Sequence, residues 1–374
     1  MQMHEERVVM TLDAGGTNFL FSAIRGFKEI TTPILKKAVT DDLPRCLSVL
    51  VEGFQDVKNN LSVEPVAISF AFPGPADYQN GVIGDLPNFP AFRGGVPLAA
   101  FLEEHFGIPV FINNDGNLFA YGEALAGTLP QINSELERLQ NPKRYHNLVG
   151  VTLGTGFGAG VVLNNVLLDG DNGCGGDVWL MRNKKYSDLI AEESVSIRAV
   201  RRVYEENAGE AATALTPRDI FEIAEGHRKG SVYAAVKSFQ ELGEMAAAAI
   251  INALHIVDGI IVIGGGLSGA AKYIVPAMLK EMNRSICTFH GDAFAPLQMK
   301  VCNLMEEAGR EAFFQNSYQM VRVPGSDREV IYHDRKKTGL AVTSLGTSKA
   351  IYYGAYAFAL HQLDVRKHPE QSWS

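Results

Sequence analysis

Asn113-Asn114-Asp115-Gly116-Asn117 follows the apolar run Pro109-Val110-Phe111-Ile112 and precedes the segment 118–126. The run reads as a buried strand and the segment after it as a helix. An aspartate at a strand-to-helix turn faces the crevice in which α/β proteins hold ligands. Taken alone, Asn-Asp-Gly is also ordinary turn and N-cap chemistry. Two other segments give it direction. Asp13-Ala14-Gly15-Gly16-Thr17 follows a first strand over 8–12, and Gly154-Thr155-Gly156-Phe157-Gly158-Ala159-Gly160 follows a strand over 148–153. Glycine lets backbone approach a ligand closely, and both loops can present N–H groups to phosphate. A carboxylate flanked in sequence by two such loops points to a kinase acting on a hydroxyl, with the carboxylate accepting the hydroxyl proton.

Composition narrows the class. The chain has 374 residues, which favours two domains over one core. Hydrophobic residues make up 46% and charged residues 20%, the balance of a soluble globular protein. The net charge is −8 and no basic block occurs, which argues against nucleic acid as the main partner. The N-terminus enters a strand almost at once, so neither a signal peptide nor a DNA-binding module is expected there. No apolar run reaches transmembrane length. A cytoplasmic location and no membrane partner are the expectation. Cys46, Cys174, Cys287 and Cys302 are scattered without a C-x-x-C pair, and reduced thiols are expected.

The two halves share a plan of strand, Gly turn, strand, then helices alternating with strands. In the first, 8–12 and 19–24 form a hairpin, 43–61 a helix, 66–72 a buried strand, 98–106 a helix stopped by Gly107 and 109–112 a strand. In the second, 148–153 and 160–163 flank the second Gly-rich turn. Helices follow at 193–206, at 217–225 behind the cap Thr216 and the N1 proline Pro217, and at 232–256. A strand over 259–263 runs into Gly264-Gly265-Gly266, and 348–360 reads as a last helix. The polar segment 129–145 reads as an inserted surface helix or loop, and 320–337 as a hairpin around Pro324-Gly325-Ser326-Asp327.

Each motif also has a plain structural reading. The first loop suits a tight hairpin turn, the second a glycine hairpin, and Gly264 to Gly266 a strand-to-helix turn. Asp13 is placed to hold water around a nucleotide-bound Mg²⁺.

Together, and in this order, the segments resemble the ROK family (repressors, open reading frames and sugar kinases). The first and second Gly loops look like its phosphate motifs. Phe72-Pro73-Gly74-Pro75 and Leu86-Pro87-Asn88-Phe89-Pro90 look like its sugar-side loops. Asn114-Asp115-Gly116-Asn117 with Gly122-Glu123 looks like its catalytic motif, and Ile263-Gly264-Gly265-Gly266 like its adenosine motif. The resemblance implies an α/β, two-domain actin-like (ribonuclease H-like) fold with an interdomain active-site cleft. The division is expected at 1–113 for the first domain, joined by a C-terminal helix over about 348–374, and 114–347 for the second.

The resemblance also implies roles. Asp115 is the general base. Asn88, Asn114, Asp177 and Glu192 are sugar ligands, where the family has glutamate at the position of Asp177. Asp13, Gly15, Gly16, Thr17, Thr155, Gly156, Gly158, Gly265 and Gly266 bind ATP, which carries Mg²⁺. The family's Gly-His after its acidic residue is here Trp179-Leu180, and its three zinc cysteines are absent. No structural zinc is therefore expected, and the shortened segment before Glu192 must hold it, helped by Val195, Ala199 and Val203 at helical spacing. Trp179 suits stacking on a sugar or core packing. The expected activity is ATP-dependent phosphorylation of a hexose hydroxyl, glucokinase-like, in a homodimer. The alternatives are a kinase for fructose, allose or N-acetylmannosamine, and a non-catalytic sugar sensor.

Overall fold

The computed structural model describes residues 5–14, 18–74, 76–84, 90–209, 211–316 and 318–367. Gly15, Gly16, Thr17 and Asn88 lie outside the described residues. The chain divides into two compact units. One comprises Met1–Gly127, Gly160–Gly176 and Ser344–Ser374, the other Thr128–Ala159 and Asp177–Thr343.

The first unit is built on the strands β1 (Val9–Ala14), β2 (Asn18–Arg25), β3 (Lys28–Glu29), β4 (Ile34–Lys37), β5 (Ala67–Ala71) and β9 (Val110–Asn113). They run in the order β3-β2-β1-β5-β9, with β4 also on β2. β1 and β2 form the expected antiparallel hairpin, while β1, β5 and β9 are parallel. A small sheet of β6 (Ala76–Asp77), β7 (Val82–Ile83) and β8 (Val96–Pro97) lies beyond β5 in sequence.

Alternation gives the main sheet two different faces. Leu12, Phe21, Ile68 and Phe70 join Leu50 and Phe54 of helix α1 (Leu43–Asn59) and Leu102 of α2 (Leu98–Phe106) in one core. Phe21 and Phe54 meet edge to face at 5.1 Å. α1 starts where Asp42 accepts the Arg45 N–H, with Pro44 in the first turn.

The opposite face carries smaller side chains, Thr11, Ser69 and Ala67, all fully buried. Helix α10 (Thr347–Lys367) packs on β1 and β5 and against α3 (Asp115–Leu125). It is rich in small residues at this contact, and glycines decide its distance from α3. A Cβ on Gly122 would lie 1.9 Å from the Ala350 carbonyl oxygen, and one on Gly354 1.8 Å from that of Leu118. The two helices therefore meet backbone to backbone. α3, set at the start of the second domain on sequence grounds, packs within the first unit.

In the second unit, β10 (Leu148–Leu153), β13 (Ile260–Gly264), β19 (Lys337–Val342) and β16 (Lys300–Asn303) pair in that order, all parallel. β10 and β13 are buried at every position, which is why they read as unbroken apolar runs. β11 (Phe157–Leu163) follows β10 through the second Gly loop. It crosses into the first unit at Gly160 and there pairs with β12 (Val166–Leu167).

Helices α5 (Ile197–Ala208), α6 (Pro217–Ala224), α7 (Val232–Val257), α8 (Ala271–Met282) and α9 (Glu307–Phe314) complete the unit. α6 opens on a full capping box, Thr216 with Asp219. Two expectations need correction. The segment 129–145 is not a surface insertion throughout: α4 (Thr128–Arg138) buries Leu129, Ile132 and Leu136, and Tyr145 stacks on Phe313. The helix expected at 193–206 starts later, at Ile197, because Ser196 caps it through the Ala199 N–H.

The hairpin β17 (Gln319–Arg322) and β18 (Glu329–Tyr332) forms around the expected turn and is exposed at every strand position, as is the short pair β14 (Ile286–Cys287) and β15 (Ala293–Phe294). Among the described residues no helix is long and apolar enough to cross a membrane.

Candidate active site

β9 delivers Asn113 to the sheet edge and α3 begins two residues later. Asn113 is 2% exposed and satisfies four groups around the turn. Its backbone carbonyl accepts the Phe72 N–H at 3.0 Å. Its Oδ1 accepts the Asn114 N–H at 2.8 Å and an Asn117 Nδ2–H at 2.9 Å. Its Nδ2 donates to Asp169 Oδ1 at 2.9 Å. Asn114 is the N-cap, with Oδ1 accepting the Asn117 N–H at 2.6 Å. These bonds give partners to the Asn114 and Asn117 N–H groups at the start of the helix and fix the direction in which Asp115 leaves it.

Asp115 is accessible to solvent, and its Oδ1 accepts the Gly116 N–H at 2.9 Å. Its carboxyl is held above the usual carboxylate range. Desolvation by the surrounding protein is the larger cause, and the charge of Asp13 adds to it. The bond from Gly116 and the helix N-terminus act the other way and lose. Asp13, half-buried at the end of β1, is itself raised by burial against a lowering bond with Ser348. Two carboxyls raised by burial, one of them also by the other's charge, mark this corner as the candidate site. A cavity of about 490 Å³ in this unit is lined by Asn113, Asp169, Glu103 and Arg366 among others, but not by Asp115.

In the second unit the turn from β10 to β11 is closed by Gly154 N–H on the Gly156 carbonyl at 3.1 Å. Thr155 is exposed at its tip and Gly158 is half-buried. Glu192 lies against this turn. Its Oε2 accepts the Phe157 N–H at 3.0 Å, and a Cβ on Gly156 would sit 2.5 Å from that same oxygen. The carboxylate of Glu192 thus occupies the space beside Gly156. Arg198 reaches Glu192 Oε1 at 3.3 Å. Val195, Ala199 and Val203 are all buried behind it.

Asp177 precedes a single 3₁₀ turn, Val178–Leu180. The indole Nε1–H of Trp179 donates to Asp177 Oδ1 at 3.1 Å, while Leu180 is exposed. Gly265 has φ 84, and a Cβ there would lie 2.3 Å from the Leu153 carbonyl oxygen; Gly266 opens the turn Gly266–Ala270 with free space beside it.

Sequence reasoning passed over Asn113, Asp169 and the hydrogen-bonding role of Trp179. The Asn-Asn pair was the one available signal, because a second asparagine has no capping duty of its own. Among the described residues no group of three His, Cys, Asp or Glu side chains could hold a metal ion. Cys46 and Cys302 are buried, Cys174 and Cys287 exposed, and none is paired.

Residues 9–309 match the model of the ROK family. The chain belongs to the ROK family. A crystal structure of glucokinase from Parabacteroides distasonis is 57% identical, with a TM-score of 0.86 over 96% of this chain and 99% of that one. The glucokinase of Thermotoga maritima is 26% identical over 319 residues, 80% of this chain and 93% of that protein. An N-acetyl-D-glucosamine kinase from Photobacterium profundum is 28% identical over 308 residues, 75% of this chain and 94% of that protein. The mixed α/β fold is the actin-like fold of the ROK sugar kinases.

Proposed function

We propose that this ROK protein is an ATP-dependent sugar kinase that phosphorylates a hexose hydroxyl, with glucose as the first acceptor to test. Asp115 carries the reading. A carboxyl raised above its usual range is a stronger base, and Asn113 and Asn114 hold it at the start of α3. Asp115 takes the proton of the attacking hydroxyl and orients the oxygen towards the γ-phosphate. The names of the relatives direct the choice of sugar.

Asn114 Oδ1 accepts the cap bond with one of its two lone pairs, and its Nδ2 is the group that donates to sugar. Asp177 and Glu192 accept from sugar hydroxyls. The Gly loops offer backbone N–H groups to the phosphates. A nucleotide-bound Mg²⁺ would be held beside Asp13, whose half-buried carboxylate is raised by burial and would gain from a cation. Bound there, the ion neutralises phosphate charge. A coupled ADP-release screen over glucose, N-acetylglucosamine, N-acetylmannosamine, fructose and allose tests the proposal. Glucose should give the highest kcat/KM; turnover of none of them sinks it. The kinship with N-acetyl-D-glucosamine kinases supports an amino sugar as the second reading.

Trp179→Phe keeps an aromatic ring and removes the N–H that orients Asp177. The sugar KM should rise roughly 2- to 12-fold, the equivalent of a net hydrogen bond of about 0.5–1.5 kcal/mol. The ATP KM should not move. An unchanged sugar KM would show that Asp177 needs no such help.

Zinc should be dispensable. Trp179 and Leu180 replace the Gly-His pair, and the cysteines stand apart. Elemental analysis of purified protein should find no stoichiometric zinc, and chelation followed by removal of the chelator and assay with Mg²⁺ restored should leave Tm and turnover unchanged. Loss of either on chelation overturns this expectation.

A further inference from the structure

The segment between Asp177 and Glu192 is organised by one buried amide. Asn183 is 2% exposed. Its Oδ1 accepts the N–H groups of Lys185 and Tyr186 at 3.0 and 3.1 Å. Its Nδ2 donates to the Ile190 carbonyl at 3.2 Å and to Ser194 Oγ at 2.8 Å. Both donor hydrogens and both acceptor lone pairs are therefore used, the full capacity of an asparagine amide. The outgoing and returning limbs also share backbone bonds, Asn183 N–H to Leu189 O at 2.9 Å and Ala191 N–H to Met181 O at 2.7 Å. Those bonds stop at Ala191. Among the described residues the side chain of Asn183 is what ties the outgoing limb past it, through Ser194 across the 3₁₀ turn Ala191–Ser194 that carries Glu192.

The hub is itself fastened to the helices beneath. Lys184 Nζ meets Glu244 of α7 at 2.7 Å and Glu281 of α8 at 2.8 Å, and Lys185 Nζ meets Glu241 of α7 at 2.8 Å. Glu241 and Glu281 are nearly buried, so these pairs fix the turn more firmly than exposed ones do. A continuous path thus runs from α7 and α8 through residues 183–185 to Ser194, Glu192 and the Phe157 N–H of the second Gly loop.

We propose that Asn183 is a positioning residue for Glu192, holding its carboxylate on the Gly loop in the orientation that receives sugar. This deepens the proposed function and rests on Glu192 as a sugar ligand. A carboxylate displaced by an ångström changes the acceptor's alignment without touching nucleotide.

The test is Asn183→Ala in the full chain. Its sugar kcat/KM with glucose should fall about tenfold or more, and the ATP KM should stay within about twofold. Combined with Glu192→Gln, it should add little to the loss from Glu192→Gln alone, because both changes act through one carboxylate. Losses that multiply, or sugar and ATP parameters that fall together, assign Asn183 a general structural role and overturn the proposal. Amide exchange gives an activity-free readout. The Phe157 N–H should exchange about tenfold faster in Asn183→Ala while core amides of β10 and β13 are unchanged. If the wild-type chain phosphorylates no sugar, the proposed function fails and this exchange measurement alone judges the positioning. Should Asn183→Ala not fold, Ser194→Ala removes only the last link; Phe157 protection unchanged in that variant overturns the proposal.

Discussion

Asp115→Asn should lower kcat by about 10²–10⁴-fold, the usual contribution of a general base. The amide still accepts the Gly116 N–H and still follows the Asn114 cap, so α3 should start unchanged. What it loses is the capacity to take a proton. Nucleotide affinity, read by calorimetry with a non-hydrolysable ATP analogue, should stay within a few-fold. Stability provides an independent check through linkage. The folded carboxyl is raised above its unfolded value, so the folded state binds the proton more tightly. Stability from this group is present at pH below its unfolded value and is lost as pH rises through the folded one. At neutral pH the asparagine variant should therefore melt at or above the wild-type temperature. Wild-type kcat should also fall as pH drops through the raised value, because only the ionised form accepts the proton. Near-normal kcat in Asp115→Asn with an accepted sugar would falsify the assignment.

Gly354→Ala should be the most damaging methyl group that can be added far from the reacting atoms. A Cβ there would enter the Leu118 carbonyl, and Gly122 makes the reciprocal contact on Ala350. Backbone cannot step aside as a side-chain tip can. α3 and α10 must separate, with overpacking of about 1–3 kcal/mol or more. The displacement also moves the start of α3, so kcat should fall together with Tm. Gly269→Ala is the control: nothing lies within 4 Å of a Cβ there and its φ is not positive. It should stay within about 0.5 kcal/mol of wild type. Equal melting temperatures for Gly354→Ala and wild type would mean that the helices do not meet as closely as described.

The architecture was legible wherever the physics is local. β10 and β13 are buried on both faces, so they appear as the apolar runs 148–153 and 259–263. The Thr216-Pro217 start of α6 and the turn at 324–327 follow from cap and turn chemistry within four residues. The segment 129–145 misled because its polar average hides three buried apolar residues at helical spacing. The α5 start was misplaced because two glutamates look like a first helical turn, whereas Ser196 holds the cap.

The candidate site divides along the same line. Sequence alone singled out the residues proposed to carry its chemistry: Asp115 behind a capping asparagine, glycines where backbone must approach, and acids at Asp177 and Glu192. Their settings are bonds between residues remote in the chain, formed by types whose local roles look ordinary. Asn113 reaches Asp169, Phe157 reaches Glu192, and Gly122 with Gly354 brings two helices into backbone contact. An asparagine in a loop reads as a turn and a glycine in a helix as a weakness. Only the tertiary structure decides that one amide is buried among four partners, or that a missing Cβ is the space another backbone occupies. Such roles depend on what lies across the fold, and the identity of the residue does not record its neighbour.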